Sequence, residues 1–366
     1  MKKFLSILIL FFLLTITSVF AENSEVLPSQ IGIIRSVKYV DSNNTTTETT
    51  QLAEVEIITG NFKSERILIE NILTGNPYYD IKLKKGLRVL LHVESVDNEL
   101  IFSIEDIQRS QILLLLSLIF CGLLVFVGRK KGINSLVSIV LTCALIIKLL
   151  SPIILAGFPP ILATILICLI STAITMYLVG GFNRKSSSAT IGCVLSLVFA
   201  AVLSLLTVKI ASLTGFANEQ SMFLYSAHPE LNVISITVST MILATMGAVM
   251  DVSMSIASTI NEIYSIDNSK SVKELFISGM NVGKDIIGTM ANTLILVYLG
   301  SSLPLILLSS NIDLQKFINL NQVVTEISSA LIGSSAIIIC VPITAFVASE
   351  LIKNIPEKFD FSKLKG

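Results

Sequence analysis

The sequence predicts an α-helical integral membrane bundle of about seven transmembrane helices with a small extracytoplasmic all-β, OB-like barrel domain at its N-terminus. Three observations predict it. Of 366 residues 52% are hydrophobic and 14% charged, and the mean hydropathy of +0.80 lies well outside soluble usage. Beyond Arg109 the apolar runs are each long enough to cross a ~30 Å hydrocarbon core as a helix. Before it, residues 22–108 alternate apolar and polar positions with the period of a strand.

Residues 1–21 open with Lys2 and Lys3, continue through an apolar run and end in Val19-Phe20-Ala21, the pattern of a signal peptide that is either cleaved or retained as an anchor. The β domain reads as about five strands in IGIIRSVKYV, LAEVEIITG, ERILIE, LRVLLHVES and ELIFSI. Turn formers separate them at Thr59-Gly60-Asn61, Thr74-Gly75-Asn76-Pro77 and Lys84-Lys85-Gly86. The sequons at Asn43 and Asn44 are given no role, since a Thr-rich loop supplies such matches by chance.

The helical domain, residues 109–351, contains runs near 111–128, 133–151, 159–180, 189–212, 233–262, 285–309 and 324–350, followed by a tail at 352–366. Basic connections alternate with connections almost free of Lys and Arg: Arg129, Lys130 and Lys131; Arg184 and Lys185; Lys270 and Lys273; then Lys353, Lys358, Lys363 and Lys365. The positive-inside rule makes these four segments cytoplasmic and the β domain extracytoplasmic, in agreement with the signal peptide. Lys148 and Lys209, at the outer ends of their runs, read as snorkelling anchors. Pro342 is expected to kink the last helix.

Composition excludes several function classes. With 26 basic and 26 acidic residues the net charge is zero, which gives no footing for a nucleic-acid partner. Cys121, Cys143, Cys168, Cys193 and Cys340 all fall in apolar runs and read as small core residues. His92 and His228 lack the neighbours a metal site needs, so no metal and no cofactor are expected. No nucleophile motif or Ser/His/Asp grouping occurs, and the chain is not expected to be an enzyme.

The informative residues are polar groups inside apolar runs. In the fifth run Thr240, Ala244, Gly247, Asp251, Ser255, Ser258 and Glu262 recur at spacings of 4, 3, 4, 4, 3 and 4 on one helical face, opposite Ile242, Val249, Ile256 and Ile260. A central aspartate opposes insertion by roughly 2.5–3.5 kcal/mol, which the surrounding aliphatic residues offset. Such a stripe is expected to face other helices or a water-filled cleft. If continuous, the run is about 45 Å long, which calls for tilt, projection beyond the bilayer or a break near Gly247.

Around the sixth run Ser278, Asn281, Asp285, Thr289 and Asn292 share a face, with Gly279 and Gly283 nearly opposite as a Gly-x-x-x-Gly step. Gly247, Gly279, Gly283 and Gly288 are expected to let helices pack closely. An ion pair between Lys284 and Glu262 is a further expectation. A Ser/Gly/Asn stripe also serves as ordinary helix–helix glue, and charges near an interface are commonplace. An ionisable group deep in a span is not, and Asp251 therefore leads the list of ion- or solute-path residues: Asp251, Ser255, Ser258, Glu262, Asn281, Asp285 and Asn292.

GAVMDVSMSIASTINE at 247–262 and ELFISGMNVGKDIIGTMANTLILVYLGSSLPLILL at 274–308 resemble the YibE/F-like family of multi-spanning bacterial membrane proteins, as does the outer TGNPYYD at 74–80. The likeness covers roughly residues 50–350. It implies a bacterial cell-membrane location and marks Asp251, Asn281, Asp285 and Asn292 as matching the family's characteristic segments, but it implies no reaction. Lys284 stands where the resemblance leads one to expect arginine, which keeps the charge and loses the bidentate fork. The leading expectation is a permease-like role with an intramembrane polar path for an ion or small solute. The alternative is a non-transporting scaffold or sensor whose outer β domain binds a protein partner; in both, the lipid bilayer is the medium.

Overall fold

The computed structural model describes residues 29–41, 49–60, 62–96 and 99–354. The expected signal segment, both sequons and most of the C-terminal tail lie outside the described residues. The described chain divides into two compact units, joined within the first membrane stretch at 123/124.

In the first unit, β1 (Gln30–Asp41), β2 (Thr49–Ile57), β3 (Arg66–Leu73), β4 (Arg88–Val96) and β5 (Glu99–Ile107) form an antiparallel sheet in the order β3-β2-β1-β4-β5. β4 returns beside β1 in a Greek key, and β3 approaches β5, so the sheet nearly closes into a five-stranded barrel. Alternation does the work: on β2 Gln51, Ala53, Val55 and Ile57 point inward while the residues between them are half-exposed. Ile34, Leu83, Val89 and Leu91 complete a dry core. Gly32 is required where β1 crosses it, because a Cβ there would lie 2.4 Å from Val55 Cγ1.

Gln51, whose side chain is fully buried, is satisfied by β3 and the β3–β4 connection. Its Oε1 accepts from Leu83 N at 3.0 Å and from Asn71 Nδ2 at 3.1 Å, and Asn71 Nδ2 also donates to Ile81 O at 2.8 Å. TGNPYYD begins this connection. Asp80 accepts from Thr74 N (2.6 Å), Thr74 Oγ1 (2.9 Å) and Gly75 N (2.9 Å), closing the loop on itself.

The second unit is helical. Among the described residues six stretches are long and apolar enough to cross a membrane: α1 (Ser110–Leu155), which begins in the first unit, α2 (Pro160–Gly180), α3 (Arg184–Ile210), then α5 (Val233–Ile266), α6 (Val272–Ser301) and α7 (Asn321–Asn354). A short α4 (Glu219–Ala227) precedes α5. The first two expected runs both lie in α1, which is not a rod. Arg129 takes φ 49° and ψ −127°, and Gly132 comes back so close that a Cβ on it would lie 2.1 Å from Leu124 O. Residues eight apart in a straight helix are separated by about 12 Å, so the chain reverses here.

Several boundaries move from their expected places. The sixth helix begins at Val272, well before 285, because Ser271 and Glu274 form a capping box. α5 runs unbroken past Gly247, and α7 continues through Pro342. Cys168, Cys193 and Cys340 are buried, but Cys143 is exposed and Cys121 half-exposed, so these two are not core residues: each falls on a side of α1 that the chain does not cover.

α3, α5 and α7 make the densest contacts, through small residues. A Cβ on Gly192 of α3 would sit 2.1 Å from Thr344 Oγ1 and 3.0 Å from Thr344 Cα on α7. Nearby, Ser253 Oγ on α5 lies 3.0 Å from Cys340 Sγ, itself 3.5 Å from Thr344 Oγ1. Both ends of α7 are tied down. Asn321 Nδ2 donates to Phe216 O at 2.9 Å, while Arg184 Nη1 donates to Ile352 O at 2.8 Å and Lys353 Nζ to Asn268 O at 2.9 Å.

Three outcomes are expected. Gly192→Ala should lower thermal stability in detergent by about 1–3 kcal/mol through overpacking, whereas Gly247→Ala, which meets nothing within 4 Å, should not lower it. For Asp80, partial burial opposes ionisation, but the bonds from Thr74 and Gly75 outweigh it and hold the carboxyl below its ordinary value of 3.8. Its support of the loop is thus full above the ordinary value and lost as pH falls through the folded one. Protection of the Thr74 and Gly75 amides, relative to their intrinsic exchange at each pH, should fall on acidification below pH 3.8, and Asp80→Asn should raise chymotryptic cleavage at Tyr78-Tyr79 severalfold at neutral pH.

A polar face on the outside of the helical unit

α5 buries its apolar side completely: Val238, Ile242, Val249, Ile256 and Ile260 have no exposed surface. Its polar stripe is therefore on the opposite, outer side. Thr240, Ala244, Gly247, Asp251, Ser255 and Glu262 are exposed and Ser258 half-exposed. Of the expected surroundings, other helices or a water-filled cleft, no described helix of this chain supplies the first at this face. Volume decides the matter, because the seams with α3, α6 and α7 are filled by the branched residues, and the stripe is what remains.

Asp251 is about 27 Å from the first residue of α5 and about 22 Å from the last, at ~1.5 Å per residue. Among the described residues its carboxylate has no hydrogen-bond or ion-pair partner. The same holds for the side chains of Ser255, Ser258, Glu262, Asn281, Asp285 and Asn292. Where these residues are bonded it is through the backbone, as when Thr259 Oγ1 donates to Ser255 O and Ser265 Oγ to Glu262 O.

α6 is arranged in the same way. Its glycine seam packs inward: a Cβ on Gly279 would lie 2.6 Å from Ile260 Cδ1, and one on Gly283 would lie 2.1 Å from Val341 Cγ1 and 3.1 Å from Ile256 Cδ1. Asn281, Lys284, Asp285, Gly288, Thr289 and Asn292 are exposed. Gly247 and Gly288 do not make the close approach expected of them, since a Cβ at either would meet nothing within 4 Å. Both stand on outer faces that no described helix covers.

The seam sets the register of the antiparallel α5–α6 pair. With Gly283 at Ile256 and Gly279 at Ile260, Ser258 is level with Asn281, Ser255 with Lys284, Asp251 with Gly288 and Gly247 with Asn292. The expected ion pair is absent for the same reason: Lys284 is about two turns, or ~10 Å, along the axis from the level of Glu262. A cavity of about 750 Å³ opens elsewhere, where α2, α3 and α5 meet beside Lys209, and includes none of these residues.

Sequence reasoning overlooked the residues that build the scaffold for this face: Gly192 with Thr344, the Ser253–Cys340 contact, and the Asn321 latch. A signal existed in the fourth run, where Gly192, Ser196, Ala200 and Ser204 recur every fourth residue, the spacing of a close helix contact.

A nearly closed β barrel followed by a bundle of bilayer-length helices defines a multi-spanning membrane protein with a separate β domain. The family model described as YibE/F-like protein matches residues 116–354, and that of the YibE/F family N-terminal domain matches residues 29–107. The chain belongs to the YibE/F-like family. Comparison with curated proteins and with solved structures finds no match.

The register makes one further outcome checkable. In a double-mutant cycle between Glu262→Gln and Lys284→Gln, stability measured in detergent should show a coupling below about 0.5 kcal/mol, because groups two turns apart on separate faces do not pair.

Proposed function

We propose that this protein passes an ion or a small polar solute across a bacterial cell membrane, with Asp251 binding a cation or carrying a proton. Ser255, Ser258, Asn281 and Asn292 offer oxygen and amide groups along the same two helices, and Glu262 and Asp285 stand as charged groups nearer the Lys270 end. The N-terminal domain is outside and the C-terminus cytoplasmic in this reading, as the distribution of lysine and arginine suggests. One observation carries it: an ionisable side chain stands half-way along a membrane-length helix with no partner among the described residues. Keeping such a group in hydrocarbon is costly, and its usual purpose is to handle something mobile.

The unbroken α5 argues for a path along helix faces rather than through a helix break of the kind repeat-built transporters use. A second reading, a scaffold or sensor acting through the β domain, has its own support. A cleft of about 350 Å³ at the barrel end is lined by Tyr39, Thr49, Leu73, Pro77 and Lys82, beside the exposed pair Tyr78 and Tyr79.

The deciding experiment compares wild-type protein and Asp251→Asn in liposomes carrying pH- and alkali-cation-sensitive dyes. Flux should fall by about two orders of magnitude, the usual scale when a positioned proton-transfer group is lost, with unchanged yield and monodispersity. A variant that keeps full flux, or a wild type that shows none, would leave the scaffold reading in place.

A further inference from the structure

We infer that the polar face of α5 and α6 is covered by a second copy of this chain, and that the two copies complete the Asp251 site for each other. This rests on the reading of Asp251 as a path residue and names what closes that path. The argument begins with an imbalance. Asp251, Ser255, Asn281, Lys284, Asp285 and Asn292 are presented outward at bilayer depth with no partners among the described residues. Lipid tails offer none, so the covering surface must itself be polar.

The distribution of charge around α6 indicates what that surface is. Starting from the Gly283 seam and turning about 80°, one reaches Ala291, whose carbonyl accepts from Ser334 Oγ of α7. Lys284, about 100° round in the same sense, is therefore on the α7 side of the outer face. Asp285 is about 160° round in the opposite sense, toward α5, and Asp251 extends that flank on α5 itself. The face thus has a basic edge toward α7 and an acidic edge toward α5, with Asn281, Gly288 and Asn292 between them.

Two copies inserted the same way round are related by a two-fold axis along the membrane normal. That operation sets the basic edge of one against the acidic edge of the other, twice. Depth agrees: Lys284 is level with Ser255, one turn from Asp251, a gap that a lysine stem spans. Gly288, with open space above it, lets the two α6 helices approach closely at the axis. A leucine-rich segment such as residues 110–128 offers no such complement to these groups.

The test is charge exchange in trans on the full-length protein in membranes. One tagged variant carries Lys284→Asp, and a second, differently tagged, carries Asp251→Lys with Asp285→Lys. Each alone should lose self-association by about tenfold or more, as expected when interfacial charges are made alike, while the two co-expressed should pair to within about twofold of wild type. Independently, Gly288→Cys in a background with Cys121→Ser and Cys143→Ser should give an oxidised adduct of twice the chain mass, and lipid-facing Leu166→Cys should not.

Failure of the mixed pair to recover, a Gly288→Cys protein that stays monomeric, or an adduct with a different protein would each overturn the inference. The outcome for transport is separable. Dimers without Asp251-dependent flux would end the transport reading and leave this one, and flux without dimers would do the reverse.

Discussion

The helical unit depends on backbones meeting where side chains have been removed. Gly192 admits Thr344, Gly283 admits Val341 and Ile256, and Gly279 admits Ile260 and Ala345. Water gives no driving force between helices in lipid, so dispersion at short range and buried hydroxyl or thiol contacts must hold the bundle together. The Ser253–Cys340–Thr344 cluster is one such contact, with each group too small to hold α5 and α7 apart. Once these seams are fixed, the outward direction of every other residue on α5 and α6 follows from 3.6 residues per turn.

That geometry gives the polar stripe its significance. Ile242, Val249 and Ile256 occupy the seams, so Asp251 cannot. A chain of this shape in water would have an ordinary amphipathic helix, with its apolar side in and its polar side out. In a bilayer the same arrangement is unfinished, because the outer medium rejects what the helix presents. The β domain meets no such conflict. Its fully buried Gln51 is satisfied by Leu83 and Asn71, and charged residues pair on the outside, as Arg35 does with Glu56 at 2.8 Å.

Much of this was legible in the sequence. Five strands, their alternation and the apolar spans follow from period and length, and the stripe of Asp251 and the face of Asn281, Asp285 and Asn292 follow from helical spacing. The direction of the stripe did not follow, because spacing defines a face but not which neighbour it meets. That required knowing that Gly283 takes Ile256 and that Gly192 takes Thr344, contacts between residues far apart in the chain. The extent of α6 was missed for a local reason: Lys273, Glu274 and Lys284 interrupt the apolar run, although Ser271 and Glu274 carry the spacing of a capping box.

The reversal at Arg129 has a practical side. With Gly132 pressed on the Leu124 carbonyl, the chain has no slack between residues 124 and 132, and the basic trio Arg129, Lys130 and Lys131 forms the bend itself. An epitope or reporter spliced in there to learn which compartment it faces would break the approach of Gly132 to Leu124. Its signal would describe a damaged bend, whereas chemical labelling of the existing lysines would leave it as it is.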